Sequence, residues 1–129
     1  MEKINLLADT DIFIDYFNTG RFSNILENDL FIIYYSGVTE KELLSKKGLK
    51  TSEKESILHT LKNHRLIRVN KLIAEKYSGL RQLYPSLDKE DVLIAATAMI
   101  KNLPLLTRNF KHYKNIEGLT LFTGQRSGK

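Results

Sequence analysis

Short apolar runs separated by longer amphipathic stretches set the rhythm of this chain. Residues 4–8 predict a short buried strand ending at Asp9, and residues 11–18 a helix. The run LFIIYY, residues 30–35, is rich in β-branched and aromatic side chains and predicts a second strand. VTEKELLSKKG then predicts a helix with Lys46 and Lys47 in its last turn and Gly48 as its C-cap. TSEKESILHTLKNH follows as a helix with Ser52 and Glu55 at capping-box spacing, and with Ile57, Leu58 and Leu61 on one face. LIRV, residues 66–69, is a third strand, and NKLIAEKYSGLRQL a helix with Leu72, Ile73, Tyr77 and Leu80 at helical spacing. DKEDVLIAATAMIKN predicts a nearly continuous apolar, alanine-rich helix capped by Asp88 and suited to close packing in the interior. LPLLT, residues 103–107, is a buried strand entered through Pro104, followed by a short turn or helix and a last strand at residues 119–122. Residues 1–122 form one domain, and residues 123–129 a flexible tail.

Strands of four to six residues alternating with helices indicate an α/β protein, a sandwich around a mostly parallel central sheet. In such sheets ligands bind beyond the carboxyl ends of the strands. That rule gives meaning to LLADTDIFIDYF, where Asp9, Asp11 and Asp15 interrupt an apolar run. Carboxylates are rarely fully buried unless something pairs with them.

Composition narrows the field. The chain has 129 residues, 42% hydrophobic and 27% charged, as expected for one soluble globular domain. Without cysteine it has neither a disulfide framework nor a thiolate metal site. No run is apolar for long enough to span a bilayer, and the aspartates break any signal-like start, so a cytoplasmic location is expected. Twenty basic against fifteen acidic residues give a net charge of +5, a balance that attracts phosphate. The charge is uneven, however. Residues 1–30 carry six acids and two bases, whereas after residue 100 the only acid is Glu117.

Other polar residues stand at places equivalent to that of Asp9. Glu42 lies early in the helix after the second strand, Asp91 in the first turn of the alanine-rich helix, and Asn109 just past LPLL with Thr107 and Arg108. Three acids and an amide would share one rim of the sheet. Like charges that close repel unless a cation sits between them, and oxygen ligands suit Mg²⁺ or Mn²⁺. Each residue also has a local reading. Thr39 with Glu42, and Asp88 with Asp91, fit capping boxes; Asp9 and Asp11 suit a turn, and Asn109 could cap the segment starting at Phe110. A carboxylate folded back onto its own helix cannot also bind metal, so the readings exclude one another.

LLADTDIFIDYF, YYSGVTEKELL, DVLIAATA and LLTRNFKHYKNIEGL, in this order and spacing, resemble the PIN domains of VapC-type ribonucleases, toxins of type II toxin–antitoxin pairs. The resemblance covers nearly the whole chain. It implies a three-layer α/β/α fold, hydrolysis of RNA phosphodiester bonds, a Mg²⁺ or Mn²⁺ cofactor, a VapB-like antitoxin partner and a homodimer. It carries the family's acids onto Asp9, Glu42 and Asp91, as catalytic residues and metal ligands. Asn109 falls on a fourth position that is often aspartate, and an amide there offers oxygen without charge. Thr10 and Asp11 fall where the family has small polar supporting residues.

Asp9-Thr10-Asp11 resembles the opening of haloacid-dehalogenase-type phosphatases, but those need a later acidic pair, and after residue 91 only Glu117 is acidic. The alternative is a non-catalytic RNA-binding module that keeps the fold, with Asn109 as the feature in its favour. No serine, cysteine or histidine constellation suggests a covalent nucleophile; His59, His64 and His112 have no partners at ligand spacing, and surface or structural roles are expected for them.

Overall fold

The computed structural model describes residues 2–124. In chain order they form β1 (Ile4–Ala8), α1 (Thr10–Thr19), α2 (Ser23–Leu26), β2 (Phe31–Ser36), α3 (Gly37–Leu44), α4 (Thr51–Lys62), β3 (Arg65–Ile67), α5 (Lys71–Leu83), α6 (Lys89–Lys101), β4 (Leu105–Leu106) and α7 (Phe110–Tyr113). The four strands are all parallel, in the order β3-β2-β1-β4.

Successive strand side chains point to opposite faces, and the two faces of this sheet bury different clusters. Leu6, Ala8, Ile33 and Tyr35 pack with Ile12 and Phe13 of α1, Ile25 and Leu26 of α2, and Ile57 and Leu61 of α4. Leu7 and Leu105 pack on the other side with Ile73 and Leu80 of α5 and with Val92, Ala95 and Ala96 of α6. The result is a three-layer α/β/α sandwich. Ala95, Ala96 and Ala98 are all buried, and such small side chains let α6 approach the sheet closely.

The strand order also locates the site. β1 is flanked by β2 on one side and β4 on the other, so the chain leaves the sheet in opposite directions around the β1–β4 pair. That switch point opens a crevice beyond the strand ends. The Asp9 N–H donates to the Leu106 carbonyl at 2.9 Å, holding the end of β1 against the end of β4.

Several element ends differ from the sequence reading, for local reasons. α3 stops at Leu44 with Ser45 as C-cap, so Lys46 and Lys47 lie outside it and Gly48, at φ 76°, serves the following turn. α4 starts at Thr51, where the Lys50 N–H donates to Glu53 Oε1 at 2.9 Å in place of a Ser52–Glu55 box. Leu58 and Leu72 are 44% and 59% exposed rather than on buried faces. β3 begins at Arg65 and ends at Ile67, where its pairing with Ser36 of β2 runs out. Residues 119–122 form a single bridge, Leu121 to Leu105, instead of a strand. α2 was not foreseen; it follows Gly20 and Phe22, both in the left-handed region at φ 79° and φ 71°. Of the expected tail, residues 125–129 lie outside the described residues. Among the described residues no helix is long and apolar enough to cross a membrane.

Candidate active site

Asp9 follows β1 directly and is only 3% exposed. Its Oδ1 accepts the Thr10 N–H at 2.8 Å, capping α1, and its Oδ2 accepts the Thr107 hydroxyl at 2.8 Å. Thr107, fully buried past β4, in turn accepts the Asn109 N–H at 2.9 Å. Burial raises the Asp9 pKa to about 6; the two bonds lower it, and the charges of Asp11 and Asp91 push it further up. Asp9 therefore sits in an uncompensated negative field.

Glu42 does not fold back onto its own helix. Ser36 is the N-cap of α3, its hydroxyl accepting the Thr39 N–H at 3.2 Å, so Glu42 lies in the second half of that helix. Glu42 Oε1 instead accepts the Thr10 hydroxyl at 2.7 Å, and the Thr10 and Thr39 hydroxyls lie 2.8 Å apart. A hydroxyl pair thus ties Glu42 to the residue after Asp9.

Asp91 lies in the first turn of α6, as expected, yet the Asp88 side chain makes no capping bond. Asp91 Oδ1 accepts the hydroxyl of Tyr113 at 3.2 Å, and Oδ2 lies 3.1 Å from His112 Nδ1. Tyr113 is 1% exposed, and burial with the charges of Asp9 and Asp91 drives its phenol well above the ordinary range. Asn109 precedes α7, but its side chain caps nothing; its amide donates to Asp11 Oδ2. Both capping boxes, at Glu42 and Asp91, and the Asn109 cap are thus set aside by observed partners.

These residues line one cleft of about 290 Å³, formed by Asp9, Thr10, Asp11, Ile14, Glu42, Asp88, Glu90, Asp91, Asn109 and His112. Six of them are acids and none is lysine or arginine, in a chain whose net charge is +5. A larger groove of about 610 Å³ runs past the start of β2, with only Glu27 and Asp29 as acids. It lies at the amino ends of β2 and β3, away from the carboxyl ends of the strands, and lacks the converging carboxylates.

The donor set fits a hard divalent cation, which prefers carboxylate oxygens. Among the described residues no three acids or histidines are already drawn into a closed coordination shell. An open cleft of separate carboxylates suits an ion that keeps several waters and leaves room for a substrate.

The sequence reading missed Tyr113 and His112, and the fixing roles of Thr39 and Thr107. A sequence cue existed for one pair: His112 and Tyr113 stand three and four residues past Asn109, on the helical turn that faces back to the rim. The Thr10–Thr39 and Thr107–Asp9 contacts join residues 29 and 98 positions apart, beyond any local pattern.

The model of the PIN domain matches residues 6–118. Ribonuclease VapC1 of Methanocaldococcus jannaschii is 30% identical over 128 residues, covering 94% of this chain and 89% of that protein. A toxin–antitoxin complex from Klebsiella pneumoniae contains a chain 31% identical, with a TM-score of 0.73, covering 89% of this chain and 95% of that one. VapBC2 from Rickettsia felis, solved on a DNA fragment from its promoter, shares the fold at a TM-score of 0.80 and 23% identity, covering 92% and 98% of the two chains. With the order β3-β2-β1-β4 and the acidic cleft at its switch point, this chain belongs to the PIN domain family.

Proposed function

We propose that the protein is an endoribonuclease of the toxin type, dependent on Mg²⁺ or Mn²⁺, with Asp9, Glu42 and Asp91 as its metal ligands and catalytic carboxylates. The observation that carries this reading is the burial of Asp9 in a cleft lined by six acids, with no lysine or arginine among the described residues that line it. Its likeness to a ribonuclease over nearly the whole chain supports the reaction class.

Bound there, a divalent ion supplies Lewis acidity toward a phosphate oxygen and lowers the pKa of water. The chain's own residues prepare the place. Thr10 N–H and the Thr107 hydroxyl fix both oxygens of Asp9, which lines the cleft. The Thr10 hydroxyl holds Glu42 at the rim, and Tyr113 holds Asp91. These second partners matter because they orient the ligands before the ion arrives. Asn109 supports Asp11 and supplies no charge of its own. The proposed reaction is hydrolysis by water, whose oxygen would bond to phosphorus as the bond to the leaving ribose oxygen breaks and that oxygen takes up a proton.

Structural neighbours solved as toxin–antitoxin complexes support a VapB-like antitoxin as partner, whose tail would place an arginine among the carboxylates. As part of the same proposal, the active form is a homodimer that acts on RNA in the cytoplasm. RNA cleavage by the purified chain, abolished by EDTA and restored by Mg²⁺, is the expected result. Cleavage that persists in EDTA would overturn the metal assignment. Light scattering that finds a strict monomer, unchanged by the product of the neighbouring gene, would overturn both partners.

A further inference from the structure

Beside the acidic cleft lies a second pocket of about 410 Å³ with the opposite charge. Arg21, Arg108 and Lys111 line it together with Phe110. It shares Asn109 and His112 with the cleft, so the two are neighbours on one surface. Part of its charge is used: Arg108 pairs with Asp15 at 3.1 Å, and Arg21 stands 3.8 Å from the same carboxylate. Arg21 and Arg108 remain 63% and 43% exposed, and Lys111 is exposed, so the pocket lining carries three cations, two of which share the one carboxylate of Asp15. Arg21 is also held in place, its guanidinium 5.1 Å over the buried ring of Phe22.

We propose that this pocket is a nucleotide subsite that holds the residue of single-stranded RNA next to the scissile phosphate. The inference rests on the ribonuclease reading above and adds where the strand runs. A strand whose reacting phosphate lies over the carboxylates must cross a field that repels it. A basic pocket sharing a wall with that cleft supplies the compensating attraction. Its volume is in the range of pockets that hold small ligands. Single strands are bound by cations that track the backbone and by aromatic faces on which bases stack. Arg21 and Lys111 fill the first role, and the half-buried Phe110 ring the second.

The test is equilibrium binding of a short fluorescent single-stranded RNA to the full chain in EDTA, read by anisotropy across a salt series. A parallel cleavage assay with Mg²⁺ reports separately on the ribonuclease reading. Each phosphate contact on a single strand contributes about 0.7 to the slope of log K against log salt, or about 5-fold at 0.1 M salt. Lys111→Ala and Arg21→Ala should each weaken binding about 5-fold and lower that slope. Phe110→Leu, which keeps apolar volume, should weaken binding with the slope unchanged. Lys46→Ala, on the exposed loop after α3, should leave affinity as it is. Equal loss from Lys46→Ala, or unchanged affinity in the pocket variants, overturns the subsite even if the chain cleaves RNA. So does loss confined to binding of an acidic peptide, which would mark the pocket as a protein-docking surface.

Discussion

Replacing Asp9 by asparagine should stabilise the metal-free protein at pH 8 and weaken it near pH 4. The Asp9 carboxyl is raised from 3.8 to about 6 by burial and by the charges of Asp11 and Asp91. An acid whose pKa is raised on folding is favoured protonated in the folded state. Its stabilising effect is therefore fully present below pH 3.8 and is lost as pH rises to about 6. A shift of roughly two units, at about 1.4 kcal/mol each, makes the loss about 3 kcal/mol at pH 8. Asparagine removes the charge but cannot accept from both Thr10 N–H and the Thr107 hydroxyl. That misfit costs about 1 kcal/mol. The net expectation is a gain of about 2 kcal/mol at pH 8, and a loss of about 1 kcal/mol near pH 4, where the wild-type carboxyl is protonated. Urea unfolding in EDTA at both pH values measures this directly. Added Mn²⁺ should then stabilise the wild type at pH 8 far more than the variant. An Asp9→Asn protein less stable than wild type at both pH values would refute the reasoning, because the hydrogen bonds to the carboxylate would then outweigh its burial and repulsion.

Three further outcomes follow from the contacts around the cleft. Asn109→Asp replaces a donor to Asp11 by a like charge, so it should destabilise the EDTA-treated protein by about 1.5 kcal/mol or more, with recovery on adding Mn²⁺; unfolding midpoints check it. Tyr113→Phe should cost about 1 kcal/mol and weaken Mn²⁺ binding about tenfold by calorimetry, since it frees Asp91 on one side. Thr107→Val leaves Asp9 Oδ2 and the Asn109 N–H without their partner, so it should cost about 1–3 kcal/mol. The same change removes a bond that lowers the Asp9 pKa, so the pH at which Mn²⁺ binding is half lost should move up.

What the sequence disclosed and what it hid divide along the range of the interactions. β1 falls at Ile4–Ala8 as read, because Ile4, Leu6, Leu7 and Ala8 before Asp9 make a local apolar signal. The alanine-rich α6 was legible for the same reason. Element ends were harder. Lys46, Lys47 and Gly48 look like the end of α3, yet nothing local reveals that the helix already stops at Leu44. β4 shrinks to Leu105–Leu106, and residues 119–122 to one bridge, since strand length depends on neighbours far along the chain. The rim position of Asp9, Glu42 and Asn109 could be read, because each follows a strand and a parallel sheet puts every strand's carboxyl end on one side; Asp91 lines the same cleft although its helix follows α5 and not a strand. The partners of these residues could not be read. Glu42 looked equally like a capping residue until Ser36 took the cap and Thr10 took Glu42. Asn109 was weighed as a ligand or a cap, and its amide proves to donate to Asp11.

Single-turnover cleavage of RNA by Asp91→Asn, set beside its Mn²⁺ affinity and its thermal stability, bears most directly on the assignment of the acidic cleft as a metal-dependent ribonuclease centre. Asparagine can still accept the Tyr113 hydroxyl at Asp91's position, so the fold should hold. The expected result is a folded protein, as stable as wild type in EDTA or more so, with cleavage abolished and Mn²⁺ affinity sharply reduced. Wild-type cleavage and wild-type metal affinity in a folded Asp91→Asn protein would contradict it, and would leave Asp91 as a helix-terminal acid with no part in the reaction.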